Sequence, residues 1–100
     1  MNYLTHNDKE INFMGTSYVG EIIVNYNKLV DVFGKSQSWD DYKTDAHWTI
    51  EFEDGEIATI YNWKNGVNYL GKEGSSTSKI KEWNIGGRSS DVVERIKSLL

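Results

Sequence analysis

The chain has neither cysteine nor proline among its 100 residues. Without cysteine there can be no disulfide framework, no thiolate metal site and no cysteine nucleophile. Without proline, every turn must be built from Gly, Asn, Asp or Ser. Histidine is scarce, with only His6 and His47, far apart in sequence. Joined to Asp40, Asp41 or Asp45, His47 lacks the alternating oxygen ligands and closing Glu of a calcium loop, so no metal is expected. Ser89 and Ser90 follow two glycines but do not complete a G-x-S-x-G elbow. Gly86-Gly87 likewise falls short of the P-loop and the dinucleotide-binding fingerprint. These absences argue against an enzyme and against a bound cofactor. Long apolar runs are missing too: nothing approaches the ~18 residues of a membrane span. Met1 to Glu10 lacks the basic start and apolar run of a signal peptide, so a cytoplasmic protein away from membranes is expected. Bases are outnumbered, 11 Lys and Arg against 15 Asp and Glu, giving a net charge of −4. That balance disfavours duplex nucleic acid, whose affinity comes from neutralising phosphates.

What the chain does have is aromatic surface: aromatics make up 13%, including four Trp and six Tyr. Each buries a large area, which offsets a modest apolar fraction. The length fits a single domain, read as a flexible N-terminal tail over residues 1–10 and an α+β domain over residues 11–100. Thr16–Val24 is rich in β-branched and aromatic residues and reads as a strand, bent at Gly20. Asn25 is placed to cap a helix in which Tyr26, Leu29, Val30 and Phe33 share a face, and Gly34 is placed to end it. Residues 35–46 read as a loop, in which Trp39 and Tyr42 either tuck beneath it or face a ligand.

Trp48, Ile50 and Phe52 alternate with polar residues, and Asp54-Gly55 signals a two-residue hairpin turn. That register sets Phe52 opposite Ile57, Ile50 opposite Thr59 and Trp48 opposite Tyr61. It puts Ile60 on the far face with His47, Thr49, Glu51 and Asn62. Residues 64–78 form a long connection, in which Val67, Tyr69 and Leu70 could add a short strand. Ile80–Ile85 is the last strand. The final helix carries Val92, Val93, Ile96, Leu99 and Leu100 at helical spacing. The expected fold is β-α-β-β-β-α: an antiparallel sheet with a central hairpin and two short helices on one face. The other face then stays open, and Ile60, Tyr18 and Tyr69 on it call for a homodimer or higher homo-oligomer.

Trp83-Asn84-Ile85-Gly86-Gly87-Arg88-Ser89-Ser90 reads as a strand end, two glycines, a cation and two hydroxyls before a helix. It has two readings. In one, backbone N–H groups at the helix start and the Arg88 fork cradle an anion. In the other, the glycines make a tight turn and Ser89 or Ser90 caps the helix. Tyr61, Trp63, Lys64 and Tyr69 sit at a strand exit and its loop, with Trp83 and Asn84 nearby. An aromatic face beside an anion site suits a nucleotide. The candidate ligand-binding set is therefore Arg88, Gly86, Gly87, Ser89, Ser90, Trp63, Lys64, Tyr61, Tyr69, Trp83 and Asn84.

The run from Trp48 through Asp54-Gly55 to Trp63-Lys64, followed by Tyr69-Leu70-Gly71 and Trp83-Asn84-Ile85-Gly86-Gly87, resembles a group of small bacteriophage proteins of mostly unassigned function. The similarity spans residues 16–100. Many relatives carry His where this chain has Asn84, a departure that keeps hydrogen bonding but removes acid–base capacity. The resemblance implies a phage-encoded protein acting in the host cytoplasm, and by association an antagonist of host defence. Two functions follow. One is non-catalytic sequestration of a nucleotide-derived immune signal, a cyclic oligonucleotide or a cyclic ADP-ribose-like molecule. The alternative is an anti-CRISPR-like inhibitor that docks on a host defence protein through an acidic surface around Glu51–Asp54.

Overall fold

The computed structural model describes residues 3–5, 16–37, 45–63, 70–74 and 76–100. Its strands are β1 (Tyr3–Thr5), β2 (Ser17–Ile23), β3 (His47–Phe52), β4 (Ile57–Tyr61) and β5 (Glu82–Gly87). Its helices are α1 (Tyr26–Phe33) and α2 (Asp91–Leu99), with short 3-10 turns at Gly71–Glu73 and Thr77–Lys79. The strands form one sheet in the order β1-β3-β4-β5-β2, antiparallel at every pairing. This is the α+β fold expected, with an added edge: Tyr3–Thr5, read as part of a tail, pairs with β3. Leu70, expected in an extra strand, is instead followed directly by a 3-10 turn. Trp39, Tyr42, Lys64, Val67 and Tyr69 lie outside the described residues.

The caps of α1 are as the sequence implies. Asn25 Oδ1 accepts the Lys28 backbone N–H at 2.8 Å. Gly34 closes the helix at φ 86°, where a side chain would be strained, and donates its N–H to the Val30 carbonyl. Trp48 and Trp83 meet edge to face at 5.3 Å beneath this helix, and the Tyr26 ring lies 5.7 and 6.2 Å from them. Their indole N–H groups are both satisfied: Trp48 Nε1 donates to Gly34 O, and Trp83 Nε1 to Val24 O. Leu29 and Phe33 of α1 and Val92 and Ile96 of α2 close the same core over Ile50, Phe52, Ile60 and Ile85. Both helices thus cover the Trp48/Ile50/Phe52 face. Two glycines let α2 approach: a Cβ on Gly20 would meet Val93 Cγ2 at 2.9 Å, and one on Gly87 would meet Val92 Cγ2 at 2.5 Å. Among the described residues, no helix is long and apolar enough to cross a membrane.

The hairpin register differs from the expected one by a single residue. Its loop has three residues, not two: Gly55 N–H donates to Phe52 O, Phe52 N–H donates to Glu56 O, and Gly55 takes φ 88°. Asp54 Oδ1 also accepts the Glu56 N–H, an Asx contact that favours the longer loop. Trp48 therefore pairs with Ile60 rather than Tyr61, and Ile50 with Ala58 rather than Thr59. Because side chains alternate with period two, this slip carries Ile60 into the core, where it is fully buried. The apolar surface that motivated a homodimer is reduced accordingly. The second sheet face is also closed at Thr49, Ile57 and Thr59, which are buried.

Arg95 ties α2 to the hairpin tip. Its guanidinium binds Asp54 bidentately at 2.8 and 2.7 Å, reaches Asp91 at 2.7 Å, and lies over the Phe52 ring. The Arg95 hydrogen bonds hold the Asp54 carboxyl down at about 2.

Candidate functional site

On the face away from the helices, one row crosses four strands: His47 on β3, Tyr61 on β4, Asn84 on β5 and Glu21 on β2. The next row holds Thr49, Thr59, Gly86 and Tyr18. Where this face opens, Tyr18, Tyr61, Trp63 and Asn84 line a depression of about 380 Å³. Tyr18 is 57% exposed and Trp63 42%. The Trp63 ring stands edge-on to Tyr61 at 6.2 Å.

Tyr18 reaches this cluster because β2 is irregular. The pairing shifts between Tyr18 and Gly20, so Tyr18 opposes Gly86 while Gly20 opposes Ile85. One extra residue, Val19, lets Tyr18 share a face with Glu21 and Ile23 despite odd spacing. Bulges commonly re-aim a side chain in this way. Gly86 serves the same site, since a Cβ there would meet Thr59 Oγ1 at 2.5 Å and Tyr61 Cε1 at 3.6 Å. It is the Thr59 hydroxyl that demands glycine here, the Tyr61 ring lying at ordinary contact distance.

Burial raises the Tyr61 phenol above its ordinary value, a hydrogen bond with Asn84 opposes that shift, and the nearby Tyr18 adds to it. The phenol therefore keeps its proton at neutral pH. Burial lowers His47 to about 4, against a weaker upward pull from a hydrogen bond to the Gln37 backbone. The row thus contains a neutral imidazole beside a neutral phenol. A histidine held neutral in the fold but free to charge near pH 6.5 when unfolded makes stability depend on pH. Its contribution is complete above about 6.5 and is lost as pH falls toward 4. The thermal midpoint should fall over that interval, and His47→Gln should flatten the slope. A wild-type midpoint unchanged from pH 6.5 to 4 would contradict a buried neutral His47.

The expected site residues separate into groups. Tyr61, Trp63, Asn84 and Gly86 come together, and Tyr18 joins them. Trp83 does not: it is fully buried in the core on the opposite face, because its strand neighbour Asn84 takes the open side. Gly86 and Gly87 are not a turn. They are the last residues of β5 and pair with β2 on one side and β4 on the other. Their N–H groups belong to a central strand, and Gly87 is tight because α2 crosses it, so no glycine cradle exists. Ser89 is the capping residue, its Oγ accepting the Asp91 N–H at 3.2 Å, whereas Ser90 makes no capping bond. Arg88, Ser89 and Ser90 are exposed beyond the end of β5. From Asn84 to Arg88 is about 13 Å along an extended strand.

Sequence reasoning missed Asn62, which lies past β4 and is fully buried. Its Oδ1 accepts the backbone N–H groups of Asp45 and Ala46 at 2.7 and 3.0 Å, and its Nδ2 donates to Asp45 Oδ1. Asn62 thereby fixes the entry to β3 beside the exit of β4, next to Trp63. A polar residue at a strand exit looks like solvent-facing loop, so no local signal distinguishes it. Among the described residues, no group of three His, Cys, Asp or Glu could hold a metal ion. Comparison of the chain with protein-family models, curated proteins and solved structures gives no match.

Proposed function

We propose that this protein is a non-catalytic binder of a nucleotide-derived small molecule, which it takes by the base on the face formed by Tyr18, Tyr61, Trp63 and Asn84. The observation that carries this reading is the exposure of Tyr18 and Trp63 around one depression, on the side of the sheet away from the core. Two large rings left in water gain most from stacking on a planar ligand, and Asn84 adds hydrogen-bonding groups beside them. Arg88, beyond the end of the same strand, is the cation assigned to phosphate. In a phage setting this binding sequesters an immune signal, a cyclic oligonucleotide or a cyclic ADP-ribose-like molecule. The competing reading, an inhibitor docking through acids around Glu51–Asp54, draws less support because Asp54 is neutralised by Arg95.

Calorimetric titration with nucleoside monophosphates and cyclic dinucleotides tests the reading. Trp63→Ala and Tyr18→Ala should each weaken binding by about 1–3 kcal/mol, the worth of one base–aromatic stack. Their thermal stability should stay within about 0.5 kcal/mol of the parent, as for other exposed positions. Unchanged affinity in both variants would remove the aromatic face as the site.

A further inference from the structure

The walls of the open face carry information about which class of base is taken, an inference that rests on the reading just given. Among the described residues, two Tyr rings, one Trp ring and the Asn84 amide line the depression. No Lys, Arg, Asp or Glu is among those described lining residues. The chain as a whole is acidic, with a net charge of −4, so its overall charge does not oppose a cation there. Tyr18 and Trp63 are both exposed, which leaves ring surface open to a ligand.

The planes of Tyr61 and Trp63 meet at 84°, with ring centroids 6.2 Å apart. A flat neutral base stacks on one of two perpendicular rings and meets the other only at its edge. A positively charged base gains from both, because the negative face of each ring attracts a cation within about 6 Å of its centroid. Indole is the strongest such partner, and Trp63 is the more solvent-exposed ring of this pair. Perpendicular rings around one depression therefore reward positive charge more than they reward planarity. We propose that the Tyr18–Tyr61–Trp63 face selects a nucleotide whose base is cationic, through alkylation or glycosylation at a ring nitrogen, over the same nucleotide with a neutral base. Such a ligand carries its two charges apart: the ring cation lies at the aromatics and the phosphate lies away from them.

The test is calorimetric titration of the full chain with two matched pairs, N7-methyl-GMP against GMP and N1-methyl-AMP against AMP. Slightly acid buffer keeps both methylated bases cationic. N6-methyl-AMP, with its extra methyl group on a neutral base, controls for added apolar area. Each cationic ligand should bind roughly 3- to 30-fold more tightly than its neutral parent, the range from exposed to desolvated cation–π contacts. N6-methyl-AMP should stay within about twofold of AMP, because a methyl group on an open face buries little area. Trp63→Phe, which keeps a ring that attracts cations less than indole does, should weaken every ligand and bring both ratios toward one. Equal affinity within both pairs, or a gain for N6-methyl-AMP as large as that for N1-methyl-AMP, would overturn selection of a cation and leave nucleotide binding standing. Ratios unaltered by Trp63→Phe would overturn the role of Trp63. No binding by any of the five would overturn both this inference and the reading beneath it.

Discussion

Trp83→Ala is expected to remove about 3–5 kcal/mol of stability, a large share of what a domain of this size possesses. Trp83, the second residue of β5, is fully buried, stacked with Tyr26 and edge-on to Trp48. Truncation leaves a large cavity between sheet and helix. It also leaves the Val24 carbonyl without its indole donor at the point where β2 hands over to α1. The neighbouring rings cannot collapse into the space, because Trp48 is itself held to Gly34 by its own indole N–H. Urea denaturation followed by far-UV circular dichroism should show a lowered midpoint or an unfolded chain. Trp63→Ala, the same chemical change on an exposed ring, should leave the midpoint nearly unchanged. A Trp83→Ala variant destabilised by less than about 1 kcal/mol would mean that Trp83 is not a core residue.

Asn62→Ala should be the second most damaging change, at about 2–4 kcal/mol. The substitution removes little apolar area. Its cost comes from the Asp45 and Ala46 N–H groups, which lose their acceptor in or near the interior, each worth about 1–3 kcal/mol when left unsatisfied. Asn62→Asp separates the two roles of the side chain. It keeps an acceptor for both N–H groups but places a second carboxylate against Asp45 in place of a donor. It should therefore lie below the parent and become less damaging at low pH, as one carboxylate is protonated. Hydrogen exchange at Asp45 and Ala46 gives the local readout. Protection there that survives Asn62→Ala would contradict the assignment.

The features legible from sequence were those whose cause is local. Asn25 and Gly34 announce α1 by the chemistry of capping, and the alternation from Trp48 to Phe52 announces a half-buried strand. Register was not legible. Asp54-Gly55 is compatible with loops of two or three residues, and only the Gly55 conformation with the Asp54–Glu56 contact decides between them. That one residue sends Ile60 inside. The Gly86-Gly87 pair was misread for a related reason. Glycine marks turns on average, but here it marks close approaches, Gly86 against the Thr59 hydroxyl and Gly87 under α2, which depend on elements distant in sequence. Which of Trp63 and Trp83 faces outward follows from where each falls relative to β4 and β5, and no property of either residue reveals it. The bulge that carries Tyr18 onto the aromatic face was hinted at only by Gly20.

The central claim is that the Tyr18–Tyr61–Trp63–Asn84 face, and not the α2 N-terminus, receives the base of a nucleotide. Amide and indole shift mapping during titration with GMP tests it most directly. The account predicts the largest shifts at the backbone of Tyr18, Tyr61 and Asn84 and at the Trp63 indole N–H, with the buried Trp48 and Trp83 indoles unmoved. Shifts confined to Arg88, Ser89, Ser90 and Asp91, or absent altogether, would contradict it.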